Sequence, residues 1–415
     1  MAVKLKDGIY WVGAIDWNLR DFHGYVIPRG TTYNSYLIVD EKIALVDTVK
    51  HGFEDELLMR VKEIIDPVKI DYVVANHLEM DHSSGLPEMM REACNARIVS
   101  SPKCREGLLK VYKKEASGWN VTAVKTGDRV SLGRKTLEFI CAPMLHWPDS
   151  MFTYLIEDKI LMPNDAFGQH IASSRRFDDE AGGFECLKED AAKYYANILM
   201  PFAPLILRKI DEIVKLGIEI EIIAPSHGII WKHDAGKIIN AYIGWSKGES
   251  KNKVVIVYDT MWQSTGKMAK KVAEGLMSKG IEVKLMKLRE SHRSDVAYEM
   301  LDAKAVLFGS PTLNGGMFPT VSDMLTYVKG LKPKGKNRLT NVRGISSYDS
   351  EIAAAFGSYG WSGEAVSLVE KELEGAGFEV IKSGLNFVYF PDEDELKKCF
   401  EFGVEVAEKI REKTI

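Results

Sequence analysis

The stretch NHLEMDHSSG, residues 76 to 85, follows the apolar run DYVVA. A short apolar run bounded by polar residues reads as a buried strand, so the ionisable cluster begins where a strand ends. His77, Glu79, Asp81 and His82 fall within six residues. Their spacing nearly repeats His-x-His-x-Asp-His, with Glu79 where a second histidine would stand. Two readings stay open at this point: a zinc site with one ligand altered, or a site for a different metal and a different reaction.

Further along the chain come MLHWPDS with His146, MPNDAFGQH with Asp165 and APSHGI with His227. Each follows a strand-like apolar run, so each can point from a strand end into one common cleft. A lone buried histidine is most often a satisfied core residue. Burying seven such groups together without a metal would be very costly. His77, His82, His146 and His227 with Glu79, Asp81 and Asp165 are enough to hold two metals at the close separation of two-metal sites.

The chain has 415 residues, too long for one ordinary core, so two domains are expected. It is 46% hydrophobic and 27% charged, a globular composition. A formal net charge of -4 gives no support for a nucleic-acid partner. Charges break every apolar run well short of a membrane span, and Lys4, Lys6 and Asp7 interrupt any signal core at the N-terminus. Five scattered cysteines with no CxxC pair argue against a disulfide framework and against an iron–sulfur or four-cysteine iron module. A reducing cytoplasm is the expected compartment.

The first half mixes strands and helices. GIYWVGAI is a strand, SYLIVDEKIALVD a hairpin turning at Asp40 and Glu41, and DYVVANH, ARIVSS, TLEFICAP, FTYLIED and KILMPND are further strands. Helices are expected over 52–64, 102–114, 187–200 and 205–216, and a last strand over 220–228. The polar stretch YIGWSKGESKNK (242–253) reads as a linker, because a regular βαβ series starts directly after it. The expected domains are 1–250 and 251–415. In the second, strands at 254–259, 282–288, 305–312, 352–360 and 378–383 predict a doubly wound parallel sheet of five strands.

Three turns of this second half lie at carboxyl ends of strands. YDTMWQSTGK offers Thr260, Met261, Trp262, Gln263, Ser264 and Thr265, with hydroxyls beside a helix N-terminus that attracts phosphate. GSPTLNGGMFP offers Pro311, Thr312, Leu313, Asn314 and Gly315. GSYGWSGE offers Ser358, Tyr359, Gly360, Trp361 and Gly363, where the glycines permit close backbone approach and the aromatics can stack on a flat ring. Neither a GK[ST] ending nor G-x-G-x-x-G is present. The first loop resembles the T-x-x-small-x-T phosphate motif of flavodoxin, a carrier of flavin mononucleotide (FMN). Gln263 departs from it at the small position.

The spacing and downstream order of the first half's ligands resemble the metallo-β-lactamase superfamily, whose hydrolases generally use zinc. That likeness implies an αββα sandwich and makes Asp165 the bridging carboxylate. Glu79 moves one metal towards a harder, more anionic ligand set, and mixed imidazole and carboxylate ligation with open positions suits non-haem iron. Both halves in this order resemble the flavodiiron proteins, including the segments GTTYNSYLI, LHWPDSM, DAFGQH, YYANILMPF, APSHGIIW and YDTMW.

The resemblance implies two non-haem irons, one held by His77, Glu79 and His146, the other by Asp81, His82 and His227. It places His23, His170 and Tyr195 near the centre, to orient ligands or relay protons. It implies a soluble oxidoreductase that reduces O2 to water or NO to N2O with electrons from FMN. The electrons come from a separate donor: a rubredoxin, a reduced deazaflavin or a flavoreductase. A head-to-tail homodimer or a dimer of dimers is implied, with one chain's flavin serving its partner's irons. The rival reading is a zinc-dependent metallohydrolase carrying a redox-sensing flavodoxin domain. A further rival is a non-enzymatic electron carrier with a structural metal. The segment NRLTNVRGISSYDSEI (337–352) is extra relative to that family and reads as a surface insertion.

Overall fold

The computed structural model describes residues 1–331 and 351–413. The extra segment at 337–352 thus lies, up to residue 350, outside the described residues. The chain forms two compact units. The first takes residues 1–23, 27–195 and 205–243, and the second takes 24–26, 196–204 and the chain from 244 onward. The boundary expected at 250 lies just inside that last stretch.

Two mixed sheets build the first unit. Seven strands follow one another in chain order across the first sheet: Val3–Lys6, Ile9–Trp11, Tyr36–Val39, Ile43–Val46, Tyr72–Ala75, Arg97–Ser100 and Val121–Ala123. The second holds Arg129–Ser131, Thr136–Cys141, Met151–Leu155, Ile160–Met162 and Ile222–Ile223. Alternation along each strand assigns the layers. In Ile43–Val46, Ile43 and Leu45 pack with the helices, while Ala44 and Val46 pack against the second sheet. Tyr72–Ala75 divides the same way, with Val73 and Ala75 on the helix side and Val74 on the sheet side. Helices Glu54–Lys62, Leu86–Glu92 and Pro102–Tyr112 cover the outer face through Leu57, Val61, Met89 and Leu108. This is the expected metallo-β-lactamase-like sandwich.

The second unit is a parallel sheet in the order Glu282–Lys287, Lys253–Tyr258, Ala305–Leu313, Ile352–Tyr359, Glu379–Val388. Val254, Ile256 and Tyr258 pack with helices Ser264–Ser278 and Glu393–Glu412. Val255 and Val257 pack with Arg293–Met300, Pro319–Leu331 and Glu364–Ala376. Both faces are covered, which is why these strands read as unbroken apolar runs. Helices Ser264–Ser278 and Glu393–Glu412 cross so closely that a Cβ on Gly403 would lie 2.2 Å from the carbonyl oxygen of Val272.

Three expectations need correcting. Helix Ala235–Lys247 runs through the first part of the expected linker and stops at Gly248, which takes a φ of 71°. Gly244, in its last turn and a half, is tolerated as a helix residue at a modest cost. The strand expected over 220–228 pairs only at Ile222–Ile223. The last strand continues past 383 to Val388. Its register slips between Ile381 and Leu385, where a Cβ on Gly384 would lie 2.9 Å from the carbonyl oxygen of Ala355, so the glycine carries the bulge that keeps the strand going.

Candidate metal centre and flavin cleft

In the first unit the ligand-bearing turns follow four strand ends: His77 after Tyr72–Ala75, His146 after Thr136–Cys141, Asp165 after Ile160–Met162 and His227 after Ile222–Ile223. Backbone bonds lock these turns together. Met151 N donates to Asn76 O at 2.9 Å, and Ser226 N to Asn164 O at 2.8 Å. Glu79 enters a one-turn helix, Met80–Ser83, which supplies Asp81 and His82.

The seven side chains separate into two groups, His77, Glu79, His146 and Asp165 in one, Asp81, His82 and His227 in the other. Asp165 stands between them. Its Oδ2 lies 3.3 Å from His146 Nε2 and 3.7 Å from His77 Nε2. Its Oδ1 lies 3.1 Å from His82 Nε2 and 3.4 Å from His227 Nε2. Glu79 Oε2 is 3.2 Å from both His77 Nε2 and His146 Nε2. Asp81 Oδ2 is 3.1 Å from His227 Nε2. His82 therefore turns its Nε2 into the same cavity as the other six.

Both oxygens of Asp81 and Oδ2 of Asp165 are buried and accept no hydrogen bond among the described residues. Buried carboxylate oxygens in that condition are costly unless a cation meets them. A divalent metal in each group would satisfy them, so the residues fit two metal ions. The electrostatics agree. Burial lowers the pKa of His146 and His227, but the carboxylates of Asp165, Glu79 and Asp81 outweigh it and raise them to about 9 and about 10. Asp165 is held well below the usual carboxylate range by the surrounding imidazoles, against its burial. Without a metal, protons take the cations' place.

A second layer aims the ligands. Asp149 Oδ2 lies 3.1 Å from His77 Nδ1 and also accepts from Leu78 N at 2.6 Å. His227 Nδ1 donates to Thr32 O at 2.7 Å. These bonds leave each Nε2 free to face the cavity. His23 Nε2 lies 2.7 Å from Glu79 Oε1, at the exposed edge of the site. His170 is buried beside His227, ring centroids 4.9 Å apart, with Nδ1 2.8 Å from Thr31 Oγ1. Tyr195 meets Tyr242 edge to face, ring centroids 5.1 Å apart. The tyrosine that reaches Asp165 is its neighbour Tyr194, whose hydroxyl donates to Asp165 Oδ1 at 3.0 Å. Helix Phe184–Tyr194 widens into a π-turn over Tyr195–Leu199, and a widened turn shifts which side chain faces inward. Asp149, Ser226 and Asp47, whose carboxylate accepts from Asn76 N at 2.8 Å and Asn164 Nδ2 at 3.1 Å, are likewise unmarked in the sequence. The only signal for Asp149 was its closeness to His146 in HWPDS.

In the second unit, Thr260, Met261, Trp262, Ser264, Pro311, Ser358, Tyr359, Gly360 and Trp361 line a cleft of about 220 Å³. Tyr389 and Phe390 complete it from the end of the last strand. Sequence reasoning missed both, because it ended that strand too early. Trp262, Trp361 and Tyr389 are mostly exposed, which leaves broad apolar faces open to a flat ring. Thr260 Oγ1 is buried with no partner among the described residues, at the N-terminal end of helix Ser264–Ser278. A hydroxyl donor waiting beside a helix N-terminus fits a phosphate.

The other expected contacts shape the loops instead of lining the cleft. Gln263 takes a left-handed φ of 71° just before the helix, and Thr265 Oγ1 lies 3.1 Å from Ser358 Oγ. Asn314 and Gly315, with φ of 51° and 71°, form the two-residue turn between Thr312–Leu313 and Gly316–Met317. Thr312 Oγ1 accepts from Ala365 N at 3.3 Å. Gly363 has no room for a Cβ, which would sit 2.1 Å from Asn386 Nδ2.

Comparison with known proteins agrees with the two-domain fold. The model of the ODP family of beta lactamases matches residues 31–228, and that of flavodoxin matches 256–403. A nitric oxide reductase of Moorella thermoacetica is 50% identical over 98% of each chain. The structure of the rubredoxin oxygen:oxidoreductase of Desulfovibrio gigas superposes with a TM-score of 0.93 at 39% identity, over 100% of both chains. The flavodiiron protein of Giardia intestinalis superposes at 0.92 with 37% identity, over 99% of this chain and 97% of that one.

Proposed function

The chain belongs to the flavodiiron protein family, and on that premise we propose that it is an oxidoreductase reducing O2 to water, NO to N2O, or both, with FMN in the second unit and two irons in the first. The observation that carries this reading is the placement of Asp165, whose two oxygens each face a separate group of imidazole and carboxylate atoms. Bound there, two non-haem irons reduced through FMN would supply the electrons and the open positions for the gas.

The chain's own residues do the rest. His77, Glu79 and His146 would hold one iron, Asp81, His82 and His227 the other, and Asp165 would bridge them. Glu79 gives the first set a second carboxylate, which favours iron over the zinc of a hydrolase. Asp149 and the Thr32 carbonyl hold His77 and His227 in the tautomer that offers Nε2. Tyr194 and Ser226 steady Asp165 Oδ1 with hydroxyl bonds of 3.0 and 3.3 Å. Reduction to water or N2O consumes protons. His23 is suited to deliver them: the Glu79 carboxylate raises its pKa, and its side chain is largely exposed to solvent.

In the flavin cleft the hydroxyls of Thr260 and Ser264 would receive the phosphate, and Trp361 and Tyr359 would flank the ring. We place the electron donor on a separate molecule, because within these 415 residues the five cysteines are scattered and none forms a CxxC pair. Head-to-tail pairing of two chains would bring one flavin to the other chain's irons. Among the described residues no helix is long and apolar enough to cross a membrane.

The test measures iron, zinc and flavin per chain, then O2 and NO uptake in parallel with one artificial donor. Iron, flavin and gas uptake are expected. Zinc with no uptake of either gas would overturn the reading. Glu79→Ala should lose iron while keeping flavin, and unchanged iron would contradict the ligand assignment.

A further inference from the structure

The strand Lys253–Tyr258 enters the phosphate loop through Asp259, a carboxylate with no exposed surface. Its Oδ1 accepts from Thr260 N at 2.7 Å and from Arg289 Nε at 2.9 Å. Its Oδ2 accepts from Thr320 Oγ1 at 2.7 Å and from the same Nε at 3.2 Å. Arg289 Nη2 also donates to the Thr260 carbonyl, and the guanidinium lies over the Phe318 ring at 5.5 Å. A buried negative charge thus sits one residue before the loop assigned to a phosphate dianion. Left alone it would repel that ligand. It also takes up the Thr260 N–H, so the ligand must rely on other donors of the loop. One of them, Thr260 Oγ1, is buried and has no partner among the described residues.

We propose that Arg289 and Asp259 form a charge-cancelling pair that makes the cleft selective for a phosphorylated flavin over its unphosphorylated form. Arg289 is a positioning residue: it neutralises Asp259 and pins the Thr260 carbonyl, which sets the direction of the Thr260 hydroxyl. Thr320, in the first turn of helix Pro319–Leu331, ties the second flavin loop to the same carboxylate. The inference rests on reading this cleft as the FMN site.

The test strips flavin from the full chain and titrates it separately with FMN and riboflavin. Arg289→Gln should weaken FMN by about tenfold, the order expected for one unbalanced charge near a partly solvated dianion. Riboflavin should change by less than about twofold, because it carries no phosphate for Asp259 to repel. Arg289→Lys, which keeps the charge, should lose less than Arg289→Gln. Asp259→Asn combined with Arg289→Gln should recover most of the lost FMN affinity. Equal losses for both flavins, no loss for FMN, or no recovery in the double variant would overturn the pair's role while leaving the FMN site standing. A wild-type chain that binds neither flavin would overturn the site itself.

Discussion

Asp47→Ala asks how the metal ligands are held in place by residues that would never touch a metal. Asp47 is buried, with a left-handed φ of 58°. It accepts three hydrogen bonds: from Asn76 N at 2.8 Å, Asn76 Nδ2 at 3.0 Å and Asn164 Nδ2 at 3.1 Å. Asn76 and Asn164 immediately precede His77 and Asp165. One carboxylate therefore fixes the spacing between the two strand ends that carry them. Alanine would leave three buried donors without an acceptor. Each bond to a charged group is worth about 1.5–3 kcal/mol, and neighbouring losses are not additive, so the total comes to about 3–6 kcal/mol. That is a large share of the roughly 5–15 kcal/mol that holds a domain folded. Guanidinium unfolding of the metal-free chain, followed by circular dichroism, reads the stability. Iron per chain after reconstitution reads the geometry, and it should fall with the stability. Asp47→Asn keeps the shape but turns one acceptor into a donor, so it should fall between alanine and wild type. Asp47→Ala with wild-type iron content and stability within about 1 kcal/mol would refute the hub.

The remaining predictions concern protons and packing. A ligand imidazole must be neutral, yet in the metal-free chain the neighbouring carboxylates keep His146 and His227 protonated up to about 9 and about 10. Metal must displace those protons, one at each group, so the apparent affinity of each iron should rise with pH by about tenfold per unit over roughly pH 6 to 8. Competition against a chelator at several pH values measures it, and a flat profile would contradict the assignment of these two ligands. Gly403→Ala places a methyl against the Val272 carbonyl and must push two helices apart. It should destabilise the flavin domain by about 1–3 kcal/mol and leave iron content unchanged. Thermal unfolding followed by flavin release would report it, and an unchanged midpoint would show that the crossing is not tight.

The pattern of the chain decided a good deal. Strands Ile43–Val46, Tyr72–Ala75 and Lys253–Tyr258 are legible because burial on both faces demands unbroken apolar runs, which few other elements need. The seven candidate ligands are legible because ionisable side chains directly after such runs have nowhere inexpensive to go without a metal. The flavin loops stand out because turns at strand ends must be rich in glycine and hydroxyls if backbone is to approach a ligand. Other residues gave no such signal. Tyr194 and Tyr195 are adjacent and both buried, and only the fold shows which of them meets Asp165. Tyr389 and Phe390 reach the flavin cleft because a bulge at Gly384 lets the last strand run on.

Asp47, Asp149 and Arg289 are ordinary charged residues in the chain, each far in sequence from what it holds. Local periodicity records which face of an element is buried, because that depends on near neighbours. It does not record which distant charge a buried carboxylate will meet. The candidate ligand types and the two kinds of site were therefore written in the sequence itself. The two-sided reach of Asp165, the inward turn of His82 and the Asp259–Arg289 pair were decided only when the strands packed and set those distances.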